Sequence, residues 1–311
     1  MATTSIAPIA SPAPLKPLRG VRVLSLALNL PGPAALMRLR AMGATCTKAE
    51  PPAPRSLPAG ASGDPMGQYN LGAYATLHAG MKVITIDLKT DPGQAALHKA
   101  LARTDVLLTS FRPSALDKLG LGWKALHKRY PALSQVAIVG APGARAEEPG
   151  HDLTYLADNG LVTGLDLPPT LFADMGGALM ASEAVLRAVL AQRLGKTGKG
   201  SFQEVALSDA AAWLALPRFW GMTKPDGAVG GAHAGYKVYP CKDGRVAVAA
   251  LEPHFAAALC AAAGVPASSN RALMIAPATH QAIAAFLLTQ TRKQLDALAV
   301  QKDIPLHTLA K

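Results

Sequence analysis

The chain has 311 residues, half of them hydrophobic and 16% charged, which is enough apolar material for one large or two ordinary domains. Its formal charge of +11 is scattered and aromatic residues make up only 5%, which argues against a nucleic-acid interface and leaves a solvated basic surface or an anionic small-molecule partner. The three cysteines, Cys46, Cys241 and Cys260, lie far apart without CxxC or metal-ligand spacing, which argues against a disulfide framework, and no apolar run reaches a membrane-spanning length.

Residues 1–16 open with an Ala/Ser/Pro-rich stretch that lacks the basic-then-apolar order of a signal peptide. A loose tail and a cytoplasmic location are expected. Val21 to Ala27 is a short β-branched run, expected as a buried strand. Pro31-Gly32-Pro33 opens a helix that Gly43 stops, and Thr45 to Ala49 reads as a second strand. Residues 51–75 are rich in Pro, Gly and Ser and are expected to form a long surface loop. Val83 to Leu88, Val106 to Thr109 and Gln135 to Val139 read as strands, with helices from Asp91-Pro92 to about Arg103 and around residues 114–129. Alternation of this kind predicts an α/β fold with a mostly parallel sheet. Gly176 to Leu194 is expected as a long helix, and Val205 starts another that runs to about Trp213. The glycine-rich stretch 227–235 marks a boundary between a large domain, 17–228, and a smaller α+β domain, 229–311. In the latter, Tyr236 to Pro240 and Arg245 to Ala249 read as a hairpin, followed by helices near 253–263 and 278–289.

Two ionisable residues stand at breaks between elements. His151 follows a Pro-Gly turn and opens an apolar helical run, and Asp174 precedes Gly176-Gly177 and a long helix. A group at a helix start sits beside free backbone N–H groups and the positive end of the helix dipole. Two such groups facing one pocket can take a proton from one side of a carbon and return it from the other. Each also has a structural reading: a capping or packing histidine, and an N-cap for the helix that follows.

The segments Gly150-His151-Asp152-Leu153-Thr154-Tyr155 and Pro168 through Gly177 resemble paired motifs of the family III CoA-transferases (CaiB/BaiF), and within them the α-methylacyl-CoA racemase branch. Further phrases of that family recur in order: Pro17 through Leu24, Pro31-Gly32-Pro33-Ala34, Lys48 through Pro52, Ile84 through Lys89, Phe111-Arg112-Pro113, Leu119 through Gly122, Arg193 through Gly200, and Glu252-Pro253-His254-Phe255. The resemblance implies a Rossmann-like large domain, a small domain and an interlocked homodimer. It also implies a C-terminal segment that returns to the large domain, which is expected to be missing from a chain ending at Lys311.

The resemblance gives His151 and Asp174 the roles of two acid/base groups in racemisation of a 2-methylacyl-CoA. In the family's transferases the position of Asp174 is instead the nucleophile that attacks a thioester. Glu252 is implied to reach the pocket or orient His151; the alternative is a helix N-terminal carboxylate. Contacts to CoA are implied for Thr85, Ile86, Asp87, Leu88, Arg112, Gly150, Asp152, Leu153, Thr154 and Tyr155, with a surface arginine as the alternative for Arg112. CoA enters as part of the substrate, and no metal or redox cofactor is implied. The family's basic phrase is reduced here to His78-Ala79-Gly80-Met81-Lys82, and Pro51 replaces an arginine of the animal-type racemases. Three readings stay open: an acyl-CoA racemase, a CoA-transferase, and a non-catalytic homologue that binds CoA thioesters or dimerises.

Overall fold

The computed structural model describes residues 15–310 apart from 59, 196 and 267–269, so the expected tail lies outside the described residues as far as residue 14. The chain divides into two compact units, Met1–Leu214 and Ala215–Lys311. The elements of the first are β1 (Arg22–Ser25), α1 (Pro31–Ala41), β2 (Thr45–Glu50), α2 (Pro65–Tyr69), α3 (Leu71–His78), β3 (Lys82–Thr85), α4 (Asp91–Leu101), β4 (Val106–Thr109), α5 (Pro113–Lys118) and α6 (Trp123–Arg129). Then follow β5 (Ser134–Val139), α7 (Asp152–Asp158), α8 (Phe172–Leu194), β6 (Phe202–Ala206) and α9 (Leu207–Phe219), the last crossing into the second unit.

Among the described residues, six strands form one parallel sheet in the order β3-β2-β1-β4-β5-β6. Strands β4 and β5 are buried along their whole length, as parallel strands covered on both faces must be. One face carries α1, α3, α7 and α8 on a core that includes Leu36, Leu39, Leu156 and Val185. The other carries α4, α5 and α6 on Leu97, Leu101, Leu116 and Leu126. The chain winds from β1 out to β2 and β3, then returns to lay β4 beside β1. That reversal opens a crevice at the carboxyl ends of β1 and β4, where open α/β sheets bind ligands.

Three local expectations are corrected. The 51–75 stretch holds two helices: Asp64 caps α2, accepting the Met66 N–H at 2.9 Å with Pro65 at the first helical position, and Asn70 caps α3, accepting the Ala73 N–H at 2.9 Å. The helix expected from Val205 is preceded by β6, which pairs with β5 in the register Gln135↔Phe202. The apolar run crosses from strand to helix at Ala206-Leu207 without a turn residue, so only the pairing separates them. Helix α8 begins at Phe172 rather than Gly176. Gly177 therefore lies within the helix, where its lack of a Cβ leaves room for the Leu207 side chain.

The second unit contains β7 (Tyr236–Cys241), β8 (Gly244–Ala249), α10 (Pro253–Ala262), α11 (Arg271–Met274), α12 (Pro277–Thr289), α13 (Arg292–Lys302) and β9 (Leu306–Leu309). The expected hairpin is present, and β9 adds a third antiparallel strand (Val248↔Leu306) over a core of Val246, Leu259, Ile283 and Leu295. Among the described residues, no helix is long and apolar enough to cross a membrane.

Candidate functional site

Two cavities flank the crevice of the first unit. One, of about 190 Å³, is lined by residues that follow β1, β4 and β5, among them Asn29, Arg112 and Gly140, and by Glu148, His151, Tyr155 and Asp174. The other, of about 150 Å³ and largely apolar, is lined by Glu50, Pro51, Ile86, Asp87, Leu88 and Lys89 beyond β2 and β3. Leu28 and Phe111 belong to both walls, so the cavities adjoin. The Leu28 N–H donates to Ser110 Oγ at 3.2 Å, tying the ends of β1 and β4 together where the cavities meet.

His151 is the N-cap residue of α7, in extended conformation. Its N–H donates to Thr154 Oγ1 at 3.1 Å, and the Thr154 hydroxyl donates back to the His151 carbonyl at 2.7 Å. This small loop fixes the backbone that carries the imidazole to the cavity. Asp174 sits in the first turn of α8, not before it as expected, and its backbone N–H donates to Asp152 Oδ1 at 2.9 Å. Asp152, buried at the start of α7, thereby joins the two helices that carry the candidate pair. The carboxyl of Asp174 is pushed up to about 6, chiefly by burial and further by the neighbouring Asp152 charge, while His151 pulls it partly back. Tyr155 brings its phenol against Gly140 and Gly150, where any Cβ would collide with the ring. Burial raises that phenol's pKa, and the Asp174 charge adds to the rise.

The fold brings together most of the residues singled out in the sequence. His151, Asp174, Arg112, Gly150 and Tyr155 line the first cavity, and Ile86, Asp87 and Leu88 line the second. Thr85 ends β3 just before them. Thr154 acts through the His151 backbone, Asp152 through the Asp174 backbone, and Leu153 is exposed. Glu252 belongs to the second unit, where it is the N-cap residue of α10. Sequence reasoning missed Asn29, Ser110 and Glu148. Asn29 has a left-handed backbone (φ 63°) that asparagine tolerates better than most residues. Its signal was positional, since it stands just past the first strand, where the sheet order later places the crevice. Among the described residues, no group of three or more His, Cys, Asp or Glu could hold a metal ion.

Residues 18–311 match the family model described as CoA-transferase family III. The chain is 32% identical over 220 residues to succinyl-CoA–D-citramalate CoA-transferase of Chloroflexus aurantiacus, covering 66% of this chain and 53% of that protein. It is 28% identical over 256 residues to human alpha-methylacyl-CoA racemase, covering 76% of this chain and 62% of that protein. A crystal structure of a hypothetical protein from Mycobacterium tuberculosis shares the fold, with TM-score 0.79 and 24% identity over 96% of this chain and 86% of that one. The chain thus spans about half to two thirds of the length of the curated relatives it matches. With the family model spanning both units and two motif-bearing helices meeting at the sheet crevice, the chain belongs to CoA-transferase family III.

Proposed function

We propose that the chain carries the proton-transfer site of an acyl-CoA racemase acting on a 2-methyl-branched thioester. The observation that carries this reading is the presence in one cavity of an imidazole, His151, and a carboxyl, Asp174, raised to about 6. A carboxyl raised by burial and facing an imidazole across one cavity suits reversible proton exchange at carbon. One group takes the α-proton; the C–H bonding pair becomes a C=C bond to the carbonyl carbon and the carbonyl π pair moves onto the thioester oxygen, giving an enolate. The other group returns a proton to the opposite face. The two thereby exchange protonation states, which solvent resets, and the entering enantiomer decides which acts as base. The Arg112 guanidinium, on the same cavity wall, is available to the enolate oxygen. The CoA arm is assigned to the adjoining cavity along 85–88. A role for Glu252 and an interlocked homodimer belong to the same proposal.

A second reading has support of its own. A desolvated, more basic Asp174 is also a better nucleophile, and several relatives bear transferase names. In that reading Asp174 attacks an acyl-CoA carbonyl and CoA thiolate leaves, giving a mixed anhydride; the thiolate then attacks the Asp174 carbonyl of that anhydride, releasing the donor carboxylate and leaving a CoA thioester on Asp174. The acceptor carboxylate attacks this thioester and again expels CoA thiolate, which takes the acceptor's acyl group from the second anhydride and frees Asp174. The experiment is incubation with (R)- or (S)-2-methylacyl-CoA in D2O, with the α-proton followed by NMR. Exchange with loss of optical purity, absent in His151→Ala, supports the racemase. No exchange, together with a hydroxylamine-sensitive CoA ester on Asp174, transfers the assignment to the transferase.

A further inference from the structure

Lys48, on β2, is wholly buried (0% exposed), as is Asp64 (0%). The Lys48 ammonium meets Asp64 Oδ2 and lies 3.6 Å from Glu50 Oε2 and 3.0 Å from His78 Nε2. His78 Nδ1 is 2.7 Å from the Tyr74 carbonyl oxygen. A carbonyl only accepts, so Nδ1 bears the proton and Nε2 accepts from Lys48. Burial, with the Lys48 charge acting in the same direction, holds this imidazole below its ordinary range and neutral. Glu50 accepts from the Ser62 hydroxyl at 2.9 Å and the Tyr74 phenol at 3.0 Å. The second oxygen of Asp64 accepts two backbone N–H groups, Met66 at 2.9 Å and Asn29 at 3.0 Å.

This cluster touches both cavities. Glu50 lines the apolar one, and Asn29, held at φ 63°, lines the one that contains Asp174. A buried ion pair that served only to fill the core could be replaced by apolar side chains without loss. Here Asp64 commits its remaining oxygen to the backbone of a cavity-wall residue in a conformation that non-glycine residues seldom adopt. We propose that Lys48 is a positioning residue for the candidate site: by neutralising Asp64 it clamps the left-handed Asn29 turn in the cavity wall.

The proposal rests on the acyl-CoA reading only for its activity readout. The first readout needs no substrate: hydrogen exchange of the Asn29 amide by NMR, in wild type and in Lys48→Met. Because global destabilisation lowers protection everywhere, the expected result is a loss at Asn29 about tenfold larger than the loss at core amides such as Leu107, in a variant still folded by circular dichroism. The second is kcat for α-proton exchange, expected to fall about tenfold in Lys48→Met and to recover in part in Lys48→Met/Asn29→Gly, because glycine reaches φ 63° without the steric cost that the clamp offsets. A purely structural lysine would not be rescued in this way. Asn29 protection that falls no more than that of the core amides in Lys48→Met, or a double variant no more active than the single one, overturns the proposal. If Lys48→Met does not fold, Asn29→Ala and Asn29→Gly are compared in the intact network. The alanine variant is expected to lose more activity, and equal loss overturns the proposal. A wild-type protein that exchanges no α-proton sinks the racemase reading instead, and the clamp is then judged on Asn29 protection alone.

Discussion

Two groups of buried charge lie in the first unit, and they are built in opposite ways. Around Lys48, each carboxylate has the lysine nearby, a hydroxyl or backbone donor on its other oxygen, and a neutral histidine completing the shell. Around Asp174, the neighbouring Asp152 is like-charged and spends an oxygen on the Asp174 N–H, and Asp174 itself lines a cavity. A satisfied charge holds its neighbours in place but has no spare capacity for chemistry. An under-satisfied one costs stability and keeps its reactivity, which is the trade that marks a functional carboxyl.

The strongest way to break this contrast is to remove the reactive member. Asp174→Ala is expected to lower both α-proton exchange and any CoA transfer by about 10²–10⁴-fold, measured with purified protein and 2-methylacyl-CoA. His151→Ala is expected to lower exchange over the same range of about 10²–10⁴-fold while sparing acyl transfer, so paired assays separate the two readings. If neither variant changes any activity, the site assignment fails.

Removing the satisfied cation should act on stability instead. Lys48→Met leaves two carboxylates buried without their lysine and is expected to cost about 3–5 kcal/mol, read as a lower urea midpoint. Asp174→Asn should do the reverse. With the folded carboxyl raised from its ordinary 3.8 to about 6, the unfolded chain releases this proton first as pH rises. Folding stability therefore falls between about 3.8 and about 6 and stays reduced above that window. The asparagine variant is expected to be more stable than wild type by about 3 kcal/mol at neutral pH, and equal to it below about pH 3.5, in parallel urea titrations. A smaller effect tests the causes of the shift. Asp152→Asn keeps the acceptor for the Asp174 N–H but removes the like charge, so the Asp174 titration followed by NMR should move down. It should stay above the ordinary carboxyl range, because burial is the larger cause. A return to 3.8 would show that charge, not desolvation, sets the value.

Most of the sheet was legible in the sequence because buried parallel strands are short apolar runs between helices with Pro starts and Gly stops. Val106 to Thr109 and the segment ending at Val139 needed nothing more. The elements that were missed lack that local contrast. Strand β6 merges into α9, and the two short helices of 65–78 sit in a composition that reads as loop, although Asp64-Pro65 is a cap signal. Motif order by itself identified the family and placed His151 and Asp174 near helix starts, since a chemical group and its neighbours in sequence are local facts. Only the tertiary structure decided that both line one cavity, that Asp174 lies inside the first turn of its helix with a raised carboxyl, and that Asn29 stands in the wall. Strand order, burial and the field of a neighbouring charge are relations between residues distant in sequence, and they exist only once the sheet has formed and β4 has returned beside β1.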